Sequence, residues 1–422
     1  MQREQREIRH LLGRILAAER SSRSVIERVN EGHRASARNL IHYLTLRRLD
    51  LRDLQMRLAH LGLSSLGRCE SFVLDNVLQT LARLRGGACG IRDPYAALTW
   101  GEARSRLHAS TRALLGRKPL RRHVYIMVTA PSRELATKEW AREAIRAGMN
   151  VLRINCAHGS PADWKEMAGT VRAAAHALGR ECRILVDLEG PKLRVLAPEK
   201  RKLRPGDRFK IFLGSGRARG DDCIHVSHPE AFLSLRMGDR VLFDDGKAEA
   251  RVVGRSGRGR GRLELEVVRV QKGKFKLRAE HGVNLPGVAL PIAMPTESDL
   301  RNLRYVREFA DMIGLSLVEK PRSLKRIRRA LGPARARSLG LVLKIETEAG
   351  FRALPHLLLE AMRGAGGFGV MIARGDLAVE VGFERMAEIQ QEILWLCEAP
   401  THRSFGRLRY LKAWQRLGFL PG

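Results

Sequence analysis

The chain has 422 residues, room for roughly two to four domains at the usual size, and 44% of them are hydrophobic, enough to fold rather than stay disordered. The formal net charge is +32, but the arginines are spread along the whole length among Asp and Glu, and aromatics are only 5%, so no specific nucleic-acid partner is expected. The six cysteines form no CxxC pair and no apolar run approaches a membrane span. These features argue against a disulfide framework, a zinc site, a signal peptide or a membrane partner, and a reducing cytoplasmic setting is expected.

Residues 1–118 are expected to form a helical N-terminal extension. Leu51, Leu54, Leu58 and Leu61 recur at helical spacing inside NLIHYLTLRRLDLRDLQMRLAHLGL, with turn signals at Leu63-Ser64-Ser65 and Gly86-Gly87. No catalytic constellation appears there, which points to an accessory or docking region.

From His123 the texture changes. HVYIMVTAP, MNVLRINCAHG and CRILVDLEGPKLRVL are apolar runs separated by helical stretches, the βαβ alternation of a parallel sheet or barrel, and residues 119–194 are assigned to its first part. Between 195 and 285 helical periodicity gives way to short strands such as DRFKIFLG, DRVLFDDGKAEARVV and GRLELEVVRV, read as a small all-β domain inserted into the barrel, with SGRGRGR as a hairpin loop. Residues 286–399 return to βα units, and MIGLSLV, GLVLKIE and FGVMIARGD each end an apolar run in polar or charged residues. In such barrels the C-terminal strand ends carry the chemistry.

Lys344 and Glu346 share one face of a strand end, because residues i and i+2 point the same way. Asp376, in ARGD at the next strand end, adds a second hard oxygen donor, and two carboxylates with water and substrate oxygens suit Mg²⁺. Lys344 would then face a transferring phosphoryl group. A surface ion pair at the barrel rim is the alternative for these three residues. Arg153 ends an apolar strand where packing does not call for a guanidinium, whose planar fork suits phosphate, and Asn155 lies on the same face. His158 is less telling, since a lone His near a strand end is more often structural.

Taken in order, MNVLRINCAHG, LVDLEGPKLR, FDDG, GVNLPG, GLSLVEK, LVLKIE and VMIARGDLAVE resemble the successive blocks of the pyruvate kinase family, over residues 123–399. The resemblance implies an α/β fold: a TIM (β/α)₈-type barrel with an inserted small all-β lid domain and the active site between the two. It also implies phosphoryl transfer from phosphoenolpyruvate to ADP, giving pyruvate and ATP, the last step of glycolysis. In its terms Arg153 and Lys344 are catalytic and bind substrate together with Gly375 and Asp376. Glu346 and Asp376 hold Mg²⁺ or Mn²⁺, and His158 and Arg194 lie on the nucleotide side. The intact family form is expected to be a homo-oligomer.

Several positions depart from the family pattern. Asn155 and Asp187 match ligands of the monovalent-cation site, but Ala157 and Leu188 stand where hydroxyl residues are common, and Lys192 replaces an acid in GPKLR. A tethered ammonium can stand in for the ion, so potassium is not expected to be required. Leu317, Glu319 and the pair Glu280-His281 also depart, which weakens the expected grip on nucleotide.

After Ala399 the resemblance stops. Synonymous codons for Ala399–Gly422, reread from the third base of the first codon, give AHAPVIWATQVLESLAKAWVSSR, which resembles the family's next strand and helix. Residues 400–422 are therefore expected to be a frameshifted tail and the barrel incomplete at its C-terminal end, with an open strand edge, a missing C-terminal domain and impaired activity unless a partner covers the gap. Two other readings stand beside the kinase. One is a non-catalytic or regulatory scaffold docking through the N-terminal helices. The other is a metal-dependent aldolase or lyase of the phosphoenolpyruvate/pyruvate barrel group, against which the inserted β-domain argues.

Overall fold

The computed structural model describes the chain apart from residues 88–97, 121, 123, 198–199, 215–222, 257–260, 289, 403 and 407–422. Cys89, His123, most of the SGRGRGR loop and most of the 400–422 tail thus lie outside the described residues. The other five cysteines are free and buried.

The N-terminal region comprises α1 (Gln2–Ser21), α2 (Arg23–Glu27), α3 (Arg34–Arg47), α4 (Arg52–His60), α5 (Val73–Leu84) and α6 (Trp100–Leu115). In α1 the stripe Ile8, Leu11 and Ile15 is buried at spacings of three and four residues and packs on α3 and α5. The stretch read as one leucine-spaced run is two helices. Leu54 and Leu58 are buried in α4, but Leu51 precedes that helix and Leu61 follows it and is exposed.

β1 (Ile126–Thr129), α7 (Lys138–Arg146), β2 (Met149–Asn155), α8 (Pro161–Ala177) and β3 (Arg183–Leu188) open the barrel. The run read as a third strand is divided after β3. Gly190, at φ 69°, and Pro191 turn the chain away, and the next strand joins a different sheet. The inserted region comprises β4 (Leu193–Ala197), β5 (Lys200–Leu203), β6 (Arg208–Phe212), β7 (Cys223–Val226), β8 (Arg240–Phe243), β9 (Ala248–Ser256), β10 (Arg262–Val270), β11 (Phe275–Arg278) and β12 (Gly282–Asn284). All but β5 and β11, which pair with each other, close into a small barrel in the order β10-β6-β7-β4-β12-β8-β9. DRVLFDDGKAEARVV is a hairpin within it, turned by Asp244 and Asp245 in the left-handed region and by Gly246.

The main sheet resumes with α9 (Glu297–Val306), β13 (Met312–Leu315), α10 (Pro321–Ser338), β14 (Gly340–Ile345), α11 (Glu348–Ala361), β15 (Phe368–Ile372), α12 (Arg374–Val381), α13 (Met386–Glu398) and β16 (Ser404–Gly406). Its strands are all parallel, in the order β1-β2-β3-β13-β14-β15-β16, and β1 and β16 are not paired among the described residues. The architecture is therefore an open α/β half-barrel of TIM type with a separate closed β-barrel inserted after β3. Alternate side chains fill the interior in layers. The lower layer is apolar: Val151, Leu185, Met312 and Val342, joined by Met371 from nearer the C-terminal end of β15, pack with Leu114 and Leu115 from the end of α6.

The N-terminal helices share one apolar core with the outer helical layer of the barrel. They pack on the flank where the sheet ends. Asn39 Nδ2 donates to Glu70 O at 2.7 Å and Ala399 O at 2.8 Å, while its Oδ1 accepts from Val73 N, so a buried amide is fully satisfied by three segments. Ser110 Oγ donates to Thr401 O, and Asn30 N to Met362 O. His402 completes this seam: its ring stacks on Phe368 at 3.8 Å, its Nδ1 donates to Pro400 O at 2.6 Å, and its Nε2 is buried without a partner.

Burial pushes the His402 imidazole down to about 3. A folded value below the unfolded one means that stability is intact above about pH 6.5 and declines as pH falls toward 3, by up to about 1.4 kcal/mol per pH unit. Urea unfolding between pH 7 and pH 5 should show this decline, and His402→Phe should flatten it.

Candidate active site

Above the apolar floor, the same inward-facing positions become charged. Arg153 on β2, Asp187 on β3 and Lys344 on β14 are the next inward residues on their strands, and Glu346 lies one step past the end of β14. All four are nearly sealed from solvent, at 3%, 0%, 4% and 2% exposure. Arg153 binds Asp187 Oδ2 at 2.5 Å through two nitrogens and donates to Thr129 Oγ1 at 3.1 Å. Lys344 Nζ lies 3.4 Å from Asp187 Oδ2 and 2.8 Å from Glu346 Oε1, and donates to Ser316 Oγ at 2.6 Å. Ser316 Oγ in turn donates a hydrogen bond to Leu188 O at 2.7 Å. Glu346 Oε2 accepts from Leu317 N, while Oε1 has no aligned hydrogen-bond donor.

Two cations and two carboxylates buried together form a neutral set, the condition under which buried charge is tolerated. Burial opposes ionisation of Asp187 and Glu346, but the Lys344 ammonium, with Arg153 at Asp187 and Lys192 at Glu346, overcomes it and holds both carboxyls below their usual range. Burial likewise opposes the charge on Lys344, and Asp187 and Glu346 overcome it, so its pKa is raised. Register makes this assembly possible. Gly314 on β13 sits opposite Asp187, and a Cβ there would fall inside contact distance of Asp187 Oδ1.

In front of this layer, between half-barrel and small barrel, lies a cleft of about 500 Å³ whose lining includes Lys192, Arg194, His281, Glu346, Asp376 and Glu380. Asp376 does not close a strand as the sequence suggested. β15 ends at Ile372, and Arg374, Gly375 and Asp376 form the first turn of α12, where the helix dipole favours a carboxylate. Burial, and then the like charge of Glu346, push its carboxyl up, and Lys192 only partly offsets them. Acidic side chains outnumber basic ones along the cleft.

The other sequence-derived residues are placed as follows. Asn155 caps β2, its Oδ1 accepting from Ala157 N. Gly375 is half-buried beside Asp376. Arg194 is held by Glu189 at 2.9 Å and by Glu280 O, at the hinge between the two barrels. His158 is exposed beyond β2 and is not among the cleft-lining residues; its carbonyl accepts from Trp164 Nε1. Sequence reasoning missed Thr129, Gly314 and the hydroxyl of Ser316. Each follows from period-2 counting back from a strand end, but small residues carry no signal of their own there. Among the described residues, no group of three or more His, Cys, Asp and Glu side chains could hold a metal.

A model of the pyruvate kinase barrel domain matches residues 121–404. The chain is 28% identical over 299 residues to a pyruvate kinase of Sporosarcina psychrophila, covering 70% of this chain and 49% of the relative. It is 29% identical over 276 residues to that of Clostridium perfringens, covering 64% and 55%. For that of Staphylococcus saprophyticus the identity is 26% over 280 residues, covering 66% and 46%. The chain thus spans about half the length of the curated relatives it matches.

Gly314→Ala should push Asp187 out of the charged layer and lower stability by about 3–5 kcal/mol, the usual cost of breaking a buried ion pair, as read from the urea midpoint. Burial, opposed by a hydrogen bond from Gly287 N and reinforced by Glu319, pushes the Glu380 carboxyl up to about 7. With a raised folded value, stability is full below the unfolded pKa and is lost as pH rises from about 4.5 through 7. Glu380→Gln should therefore stabilise the protein at pH 8 relative to wild type, and do so much less at pH 5.

Proposed function

The chain belongs to the pyruvate kinase family, and from that premise we propose that its cleft transfers the phosphoryl group of phosphoenolpyruvate to ADP, giving pyruvate and ATP. The observation that carries this reading is the buried neutral set of Arg153, Asp187, Lys344 and Glu346 behind a cleft that also presents Asp376.

In this reading Glu346 and Asp376 hold a divalent cation, Mg²⁺ or Mn²⁺. The residues fit it. Glu346 Oε1 is buried without an aligned donor, and Asp376 is pushed toward its neutral form by burial and by Glu346, a strain that a cation relieves. Only two carboxylates converge, so water and substrate oxygens complete the shell. When bound, the metal neutralises phosphoryl charge and polarises the enolate oxygen.

The chain's own side chains supply the rest. Arg153, fixed by Asp187 and Thr129, presents its guanidinium to phosphate oxygens. Lys344, held in one rotamer by Ser316, places its ammonium where negative charge gathers during transfer, the fixed-cation stabilisation that such chemistry depends on. Gly375, without a side chain, lets substrate approach the first turn of α12, and Arg194 with His158 serves the nucleotide side. Lys192 acts on both Glu346 and Asp376, and Ala157 and Leu188 offer no hydroxyl beside Asn155 and Asp187, so potassium is not required. A cytoplasmic location and a homo-oligomer for the intact form follow the family.

The test is ATP formation by the full chain from phosphoenolpyruvate and ADP. Turnover should need Mg²⁺, persist when potassium is replaced by tetramethylammonium, and fall about 10²–10³-fold in Lys344→Met, the usual cost of losing one transition-state donor. Asp376→Asn, which leaves the buried set intact, should raise the Mg²⁺ concentration needed for half-maximal rate. Pyruvate release without ATP would favour the lyase reading, no turnover would favour the scaffold, and turnover indifferent to both substitutions would overturn the roles given to Lys344 and Asp376.

A further inference from the structure

At the opposite end of the half-barrel from the charged layer, α6 together with Arg117, Lys118 and Tyr125 borders an open concavity of about 730 Å³. Arg104, His108 and Arg112 stand on one face of α6 at successive four-residue spacings. Gly116, at φ 83°, then turns the chain so that Arg117 and Lys118 line the same space. Tyr125 fastens that turn by donating its hydroxyl proton to Gly116 O at 3.2 Å. Among the described residues, no carboxylate lines the cavity.

Some exposed arginines elsewhere on this protein are neutralised locally. Arg3 pairs with Glu7, Arg23 with Glu27 and Arg352 with Glu348, each within one helix. In the cavity, Arg104 has only the Trp100 ring for company, and Arg112, Arg117 and Lys118 show no ion pair among the described residues. The nearest acid, Glu181, is already engaged: it accepts from the backbone N of Arg117 and pairs with Arg183 at 2.9 Å. Four permanent cations gathered in a concavity repel one another, and a mobile anion is what offsets that cost.

We propose that this cavity binds a small anion carrying two or more phosphoryl groups. Planar guanidinium forks on a rigid helix face suit phosphoryl oxygens bidentately, and Lys118 adds a point charge. The concave shape and the few aromatic rings, Tyr125 in the lining and Trp100 against Arg104, argue against a nucleic-acid strand, which needs an extended basic track with several stacking platforms. Because α6 ends in Leu114 and Leu115, packed in the barrel floor, a ligand held between its face and Tyr125 fastens the helical region to the barrel. The inference is independent of the phosphotransfer reading, since no residue is shared between the two sites.

The experiment is calorimetric titration of the full chain with inorganic tripolyphosphate, pyrophosphate and orthophosphate at about 0.15 M salt, where surface charges are screened beyond a Debye length. Saturable one-to-one binding is expected, tighter for tripolyphosphate than for orthophosphate by about tenfold or more. The double variant Arg112→Gln/Lys118→Gln should weaken it by about tenfold or more, as two charge-assisted contacts imply, while Arg3→Gln/Arg23→Gln leaves it unchanged. As a measurement free of substitutions, tripolyphosphate should protect Lys118 from acetylation in the native chain and leave exposed Lys138 reactive. Absence of saturation, equal loss in both double variants, unprotected Lys118, or displacement only by a single-stranded oligonucleotide would overturn the proposal.

Discussion

The structure depends on a single electrostatic constraint: two cations and two carboxylates must be buried together. None of the four could be sealed alone without a penalty of several kcal/mol, yet Arg153, Asp187, Lys344 and Glu346 arrive from three different strands. Neutrality is reached only when β2, β3, β13 and β14 are in register, since a slip of one residue would turn each charge outward. Asp187 is the shared anion, touched by both cations, and the absent side chain of Gly314 leaves it room. The polar layer behind the cleft, which reaches its lining through Glu346, is therefore also a lock on strand order.

That dual role explains why the small barrel can be inserted without loosening the site. The chain leaves β3 immediately after Asp187 and Leu188 and returns at α9, whose buried Asp299 both caps its own helix and accepts from Gly190 N at the point of departure. Exit and re-entry are tied within hydrogen-bond distance, so the cleft between the barrels has a fixed floor.

Much of this was legible in the sequence because strand ends announce themselves. An apolar run that closes on Arg, Lys or Glu is hard to explain by packing, and Arg153, Lys344 and Glu346 stand out as candidates for that reason. Asp376 stands out as a candidate too but reads as a strand end, because ARGD following an apolar run does not reveal that the chain has already begun a helix at Arg374. The break at Gly190-Pro191 is hidden for a related reason: apolar residues on both sides continue the alternation although they serve two different sheets. Ser316 and Thr129 orient Lys344 and Arg153 through single hydroxyls, which only three-dimensional proximity can single out. The leucine spacing of the N-terminal region announced helices, but where they dock depends on shape and on lone polar groups such as Asn39.

The seam made by that amide has a temporal side. Asn39 and Ala399 are separated by 360 residues, and Ser36 and Thr401 by 365. At typical ribosomal speeds the first helices wait roughly 20–70 s after emerging before the partners of their inner faces exist. Through that interval their apolar stripes have only one another for cover, so the nascent protein passes through a long-lived adhesive stage, when chaperones have most to bind.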